Sequence, residues 1–171
     1  MNWRRIQERA AAQPAATAIA LYTAVAIAAF LAAYVGIFSE FAAYDDEGTL
    51  LITLKAFLHG DALYKEIWSV YGPFYYEVFG GFFKLFGLSV NTDTSRMIVL
   101  FVWVGTSVLF GVAAQRLTGR LALGLTAMIA AFSALGVLAN EPMHPQGLCV
   151  LILGAFFFFA VSGLRGKIGR S

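Results

Sequence analysis

Asp45, Asp46 and Glu47, three carboxylates in a row directly after a long apolar run, are the residues of this chain best suited to chemistry. Neighbouring carboxylates at a membrane surface can take a proton from a hydroxyl or hold a hard divalent cation through their oxygens. A structural duty also suits them, since an acid near a helix N-terminus stabilises it by about 0.3–1 kcal/mol. One acid would satisfy that duty, and here there are three. Polar groups gather a second time in Asn140-Glu141-Pro142-Met143-His144-Pro145-Gln146. Glu141 and His144 could bind a cation or a substrate there, and the two prolines argue against a regular helix through them.

Such groups must be positioned by something, and the composition says what. Hydrophobic residues make up 60% of the 171 positions and charged residues 13%, against about 25% charged in ordinary soluble domains. This is the balance of an integral membrane protein. A carboxylate at the centre of a bilayer costs about 2.5–3.5 kcal/mol, so the apolar run has to end where Asp45 begins. The formal charge of +2 is too small to point to nucleic acid. A single cysteine, Cys149, excludes a disulfide framework and a cysteine-based metal cluster, and its apolar setting predicts a small core residue.

Four segments have the length and apolarity to span: residues 15–38, 95–117, 121–139 and 147–164. The first follows Arg4, Arg5 and Arg9 as the apolar region of a signal peptide would. At about 24 residues it is too long for one, and is read as a retained anchor. Between the spans the charges separate. Arg4, Arg5, Arg9, Arg116, Arg120, Arg165, Lys167 and Arg170 fall on one side, and nine of the ten acids fall on the other. The positive-inside rule then makes both termini cytoplasmic and turns the acid cluster outward.

The first outer loop, residues 39–94, is too wet to cross lipid and too apolar to be a free loop. Leu50, Leu51, Leu54, Phe57 and Leu58 lie on one face of a helix over 49–59, with His59 off that face. Residues 70–90 are apolar enough to suggest a fifth span, but Glu77 and Lys84 share a helical stripe within them. A helix opened by Pro73 and closed near Gly87 would be about 22 Å long, short for a span and suited to the interface. The expected architecture is an all-α integral membrane protein forming one domain over 1–171, with four transmembrane helices and two interfacial juxtamembrane helices. In the first span Ala24, Ala28, Ala32 and Gly36 form a small-residue stripe on which a second helix could pack.

These residues form a series: Tyr44-Asp45-Asp46-Glu47-Gly48, Gly60-Asp61-Ala62-Leu63-Tyr64, Tyr71-Gly72-Pro73-Phe74-Tyr75-Tyr76, Phe83-Lys84-Leu85-Phe86-Gly87 and Arg96. In order and spacing it resembles the N-terminal part of the GT-C class of polytopic glycosyltransferases, such as protein mannosyltransferases and aminoarabinose transferases. The resemblance covers about residues 34–116. It implies inverting transfer of a sugar from a polyprenyl-phosphate donor to an acceptor at the outer face of the plasma (inner) membrane. It further implies that the chain is the N-terminal part of a larger transferase with more spans.

Under that resemblance Asp46, beside Glu47, matches the family's base, with Asp45 as an extra neighbouring acid. Asp46 and Glu47 are then also the candidate ligands of a divalent metal ion. Arg96, at the entrance of the second span, could grip the donor phosphate in a bidentate contact, or snorkel to lipid headgroups. Trp68, Tyr71, Tyr75 and Tyr76 could stack on sugar rings, though aromatic residues also belt membrane interfaces for physical reasons alone. Glu141 and His144 complete the candidate substrate-binding set.

A different class of function stays open: a non-catalytic membrane module, for assembly or transport, whose outer loop is a docking surface. A pore or transporter would bury polar or ionisable groups mid-span, and the spans offer Thr, Ser and Gln115 near one end. No phosphate-cradling glycine loop, paired metal histidines or nucleic-acid stripe occurs in the sequence.

Overall fold

The computed structural model describes residues 3–39 and 46–168, with side chains placed over 15–39 and 46–163. Six α-helices follow one another: α1 (Trp3–Ser39), α2 (Glu47–His59), α3 (Pro73–Leu85), α4 (Thr92–Thr118), α5 (Leu121–Ala134) and α6 (Pro145–Ile168). A 3-10 turn, Leu135–Ala139, prolongs α5. There is no β-strand among the described residues. Four helical stretches are long and apolar enough to cross a membrane: Ala15–Ser39, Thr92–Thr118, Leu121–Ala139 and Pro145–Gly163. The protein is an all-α, multi-pass membrane protein, and residues 70–90 supply no fifth span.

Local chemistry sets the helix boundaries. The Asn91 side chain accepts a hydrogen bond from the Thr94 amide at 2.9 Å, which caps α4 at its start. Gly119, at a φ of 72° that L side chains avoid, turns the chain from α4 into α5. Pro73 and Pro145 occupy the first helical positions of α3 and α6, where proline loses no hydrogen bond. The last span therefore begins at Pro145, two residues before the expected Gly147.

Helix α4 is the hub. Of its most apolar stretch 44% is buried, against 11–17% for the other three spans, because α1, α5 and α6 all pack against it. Gly111 and Gly124 let α4 and α5 approach closely: a Cβ on Gly124 would meet the Tyr22 hydroxyl, the Gln115 Cβ at 2.7 Å and the Gly111 carbonyl at 2.9 Å. Further along, Trp103 stacks on Phe132 with ring centroids 4.6 Å apart and donates to the Phe132 carbonyl at 2.7 Å.

Two sequence expectations about side chains are corrected. The face of α1 that packs on α4 is Ala29, Ala33 and Ile37, at 8%, 0% and 1% exposure. Ala24, Ala28 and Ala32 are exposed, one position out of phase with that face. Cys149 is exposed on α6 and is not a core residue.

Helices α1, α4 and α6 bring one set of ends together, and there α2 and α3 sit with the loop that follows the 3-10 turn. Their apolar faces meet in a cluster of Leu50, Leu51, Leu54, Tyr75, Tyr76, Phe79, Phe83 and Met143, with Ile98 of α4 and Leu148 of α6 against it. Outside their mutual contact both helices present mixed faces: α2 exposes Thr49, Ile52, Lys55 and His59, and α3 exposes Phe74, Glu77, Phe82, Lys84 and Leu85.

Candidate functional site

The consecutive acids part company at the start of α2. Glu47 is its first residue and shares the stripe of Leu50, Leu51 and Leu54, so its carboxylate is carried inward to 3% exposure against α4. There Glu47 Oε2 accepts from Arg96 Nε at 3.1 Å and from Nη2 at 3.0 Å. Glu47 Oε1 accepts from the Ser95 hydroxyl at 2.5 Å. Arg96, 7% exposed, also donates through Nη1 to the Ile37 carbonyl at 2.9 Å, one of the last carbonyls of α1. A helix's final carbonyls lack intrahelical donors, and a guanidinium both satisfies one and complements the negative end of the dipole. The ion pair thus ties α1, α2 and α4 at one corner.

Arg96 is turned towards Glu47 and the α1 terminus. Glu47 is engaged with Arg96 and Ser95 inside the protein. Asp46 and Glu47 face different surroundings, and among the described residues no group of three or more His, Cys, Asp and Glu could hold a metal ion. Among the described residues, Asp46 and Glu47 do not form such a group. Asp45 lies outside the described residues.

Asp46 stands just before α2 and is exposed; its side chain caps no helix amide. Its Oδ2 accepts from the Tyr71 hydroxyl at 3.3 Å. Burial, followed by the charge of Asp46 and its hydrogen bond and by Glu141, raises the Tyr71 hydroxyl above the ordinary tyrosine pKa, so it stays a proton donor to Asp46. The Tyr71 ring also meets the His144 ring edge-on, with centroids 5.4 Å apart and planes at 89°. His144 Nε2 lies 3.9 Å from Glu141 Oε2. Tyr71 therefore joins the two polar regions, Asp46 and Glu141, that the sequence keeps 95 residues apart. Met143 between them is in the left-handed region at a φ of 67°, held there by a side chain only 1% exposed in the cluster below.

A cavity of about 210 Å3 opens beside Asp46, between α2 and the linker to α3. Its lining is largely apolar, with Thr49, Thr53, Ser69, Tyr71 and Tyr76 among the residues around it, and Trp68, 78% exposed, stands beside it. Tyr76, fully buried, donates to Ser69 Oγ at 2.7 Å and lies 3.2 Å from Thr53 Oγ1. The Tyr71 amide donates to the same Ser69 oxygen at 3.0 Å. Thr53 donates to the Thr49 carbonyl at 2.9 Å. Tyr75 is different: at 3% exposure, packed edge-on against Tyr76, it has no open face for a ligand, which corrects its expected place in the substrate set.

Thr53, Ser69 and Tyr76 were not singled out as a hydroxyl set by the sequence. Thr53 and Tyr76 lie one on each surface helix, Ser69 in the linker, and only the packing of α2 on α3 assembles them. No family model, curated protein or solved structure matches this chain.

Proposed function

We propose that this membrane protein takes part in glycosyl transfer at the outer face of the inner membrane, with both termini cytoplasmic and Asp46 as general base. The donor is a polyprenyl-phosphate sugar. The Asp46 carboxylate accepts the proton of an acceptor hydroxyl as its oxygen bonds to the anomeric carbon. The bond from that carbon to the donor phosphate breaks, polyprenyl phosphate leaves with the electron pair, and the anomeric configuration inverts. Tyr71 fixes one carboxylate oxygen, which leaves the other for the substrate.

The observation that carries the reading is the position of Asp46: an exposed carboxylate on the wall of a cavity, hydrogen-bonded by Tyr71, among juxtamembrane helices at one end of the spans. Support also comes from the order of motifs, from the acids through Gly72-Pro73 to Arg96, that resembles GT-C transferases. General bases contribute about 10²–10⁴-fold to rate. Asp46→Asn, assayed in membranes supplied with polyprenyl-phosphate sugars, is expected to lose turnover by that factor; undiminished turnover removes Asp46 from the base role.

Exposed Trp68, Val70 and Phe74 favour a second reading, in which the outer loop docks a partner and performs no chemistry. Asp46→Asn leaves such assembly intact.

A further inference from the structure

The cavity beside Asp46 has a polarity of its own. Three hydroxyl donors of its lining residues are engaged within the protein: the Tyr71 hydroxyl on Asp46, the Tyr76 hydroxyl on Ser69, the Thr53 hydroxyl on the Thr49 carbonyl. What the wall then offers to a ligand is lone pairs, on Asp46, Thr53 and the Tyr71 oxygen. Among the described residues no Lys, Arg or His lines the cavity, and the charge they bring to it is the carboxylate of Asp46. The nearest buried cation, Arg96, is directed at Glu47. A ligand that donates hydrogen bonds to Asp46 and carries no negative charge suits this wall better than an anion.

Size narrows the class further. At about 210 Å3 the cavity is smaller than the roughly 300–1,000 Å3 that holds drug-sized ligands. It has room for one ring of monosaccharide size. Trp68 at the rim presents an aromatic face, negative at its centre, on which the C–H face of a sugar ring lies favourably. Asp46, Thr49, Trp68 and Val70 are all exposed, so the opening faces outward beside α2.

From this we infer that the cavity between α2 and the Trp68–Tyr71 linker binds a neutral sugar ring, stacked on Trp68 and donating its hydroxyls to the wall. It rejects uronates and phosphorylated sugars. The role of this ring as the acceptor, with one hydroxyl donating to Asp46, rests on the glycosyl-transfer reading; its binding does not. The donor phosphate accordingly stays outside this cavity.

The test measures binding without turnover, on the full chain in lipid nanodiscs, by saturation-transfer difference NMR and competition. The probes are methyl α-glucopyranoside, methyl α-mannopyranoside, glucuronate and glucosamine. At least one neutral glycoside is expected to bind with a dissociation constant of order 1 mM, and glucuronate at least tenfold more weakly. Trp68→Leu, at an exposed position that leaves the fold intact by circular dichroism, is expected to weaken the neutral glycoside about tenfold. Thr53→Val, which keeps the shape and deletes the lone pairs, does the same.

Absence of neutral-sugar binding overturns the inference, as does equal binding of glucuronate or an unchanged Trp68→Leu variant. Binding of glucosamine alone overturns it too and assigns the cavity to a cation. The two readings separate cleanly. Sugar binding with undiminished Asp46→Asn turnover refutes the base and keeps the sugar site; lost turnover without sugar binding does the reverse.

Discussion

Replacing Arg96 by Met tests the corner of the fold most directly. The substitution removes a guanidinium that is 7% exposed and donates twice to Glu47 and once to the Ile37 carbonyl. It leaves the Glu47 carboxylate, 3% exposed, without the cation that offsets its burial. Breaking a buried ion pair from one side costs about 3–5 kcal/mol, a large part of the roughly 5–15 kcal/mol that holds a typical protein folded.

Glu47→Leu removes the carboxylate to which Arg96 donates twice and is expected to destabilise as well. The double variant, Glu47→Leu with Arg96→Met, removes both charges together and is expected to be more stable than either single variant. Equilibrium unfolding in mixed micelles, followed by circular dichroism, measures all three. The reasoning is refuted if each single variant loses less than about 1 kcal/mol and the two losses add, since that is how an exposed, solvated pair behaves. A marked fall of the wild-type stability between low and physiological salt would point the same way, because exposed charges are screened and buried ones are not.

Gly124→Ala puts a methyl group against the Tyr22 hydroxyl and the Gly111 carbonyl, and overpacking of this kind costs about 1–3 kcal/mol; thermal unfolding in the same micelles should register a loss of that size, and an unchanged midpoint would show that α4 and α5 do not cross there. Burial, then Tyr76 and Tyr71, pushes the Tyr75 hydroxyl well above its ordinary pKa. A raised folded-state pKa gives stability that is complete below the unfolded value, about 10, and lost as pH rises beyond it. Absorbance at alkaline pH should therefore show one tyrosine ionising only as the protein unfolds, and Tyr75→Phe should flatten the alkaline loss; reversible ionisation of Tyr75 near pH 10 in the folded protein would contradict its burial.

The spans and both surface helices were legible because hydropathy, Pro73 and the charge pair Glu77 and Lys84 act locally. Glu47 was legible in principle. It stands three, four and seven residues before Leu50, Leu51 and Leu54, so a helix begun at Glu47 in place of Thr49 carries it onto the apolar stripe. Its partner was not, because nothing in the sequence says that the stripe of α2 faces the first turn of α4. The α1 stripe failed through phase: in an alanine-rich helix Ala28 and Ala29 look alike, and only the neighbour decides which is covered. Cys149 failed for a membrane-specific reason, since an apolar residue there can face lipid as readily as protein. Tyr71 was noticed for its ring, while its hydroxyl contact with Asp46 depends on a linker whose path no local pattern encodes.

The bond from Arg96 to the end of α1 imposes an order on biogenesis. When α4 enters the bilayer its arginine has to remain hydrated at the surface until Glu47 and the Ile37 carbonyl arrive, so α4 cannot sink to its final depth alone. Insertion of α4 is thereby made conditional on the upstream corner having formed. Burial of that one charge therefore makes the packing of three helices at this corner interdependent.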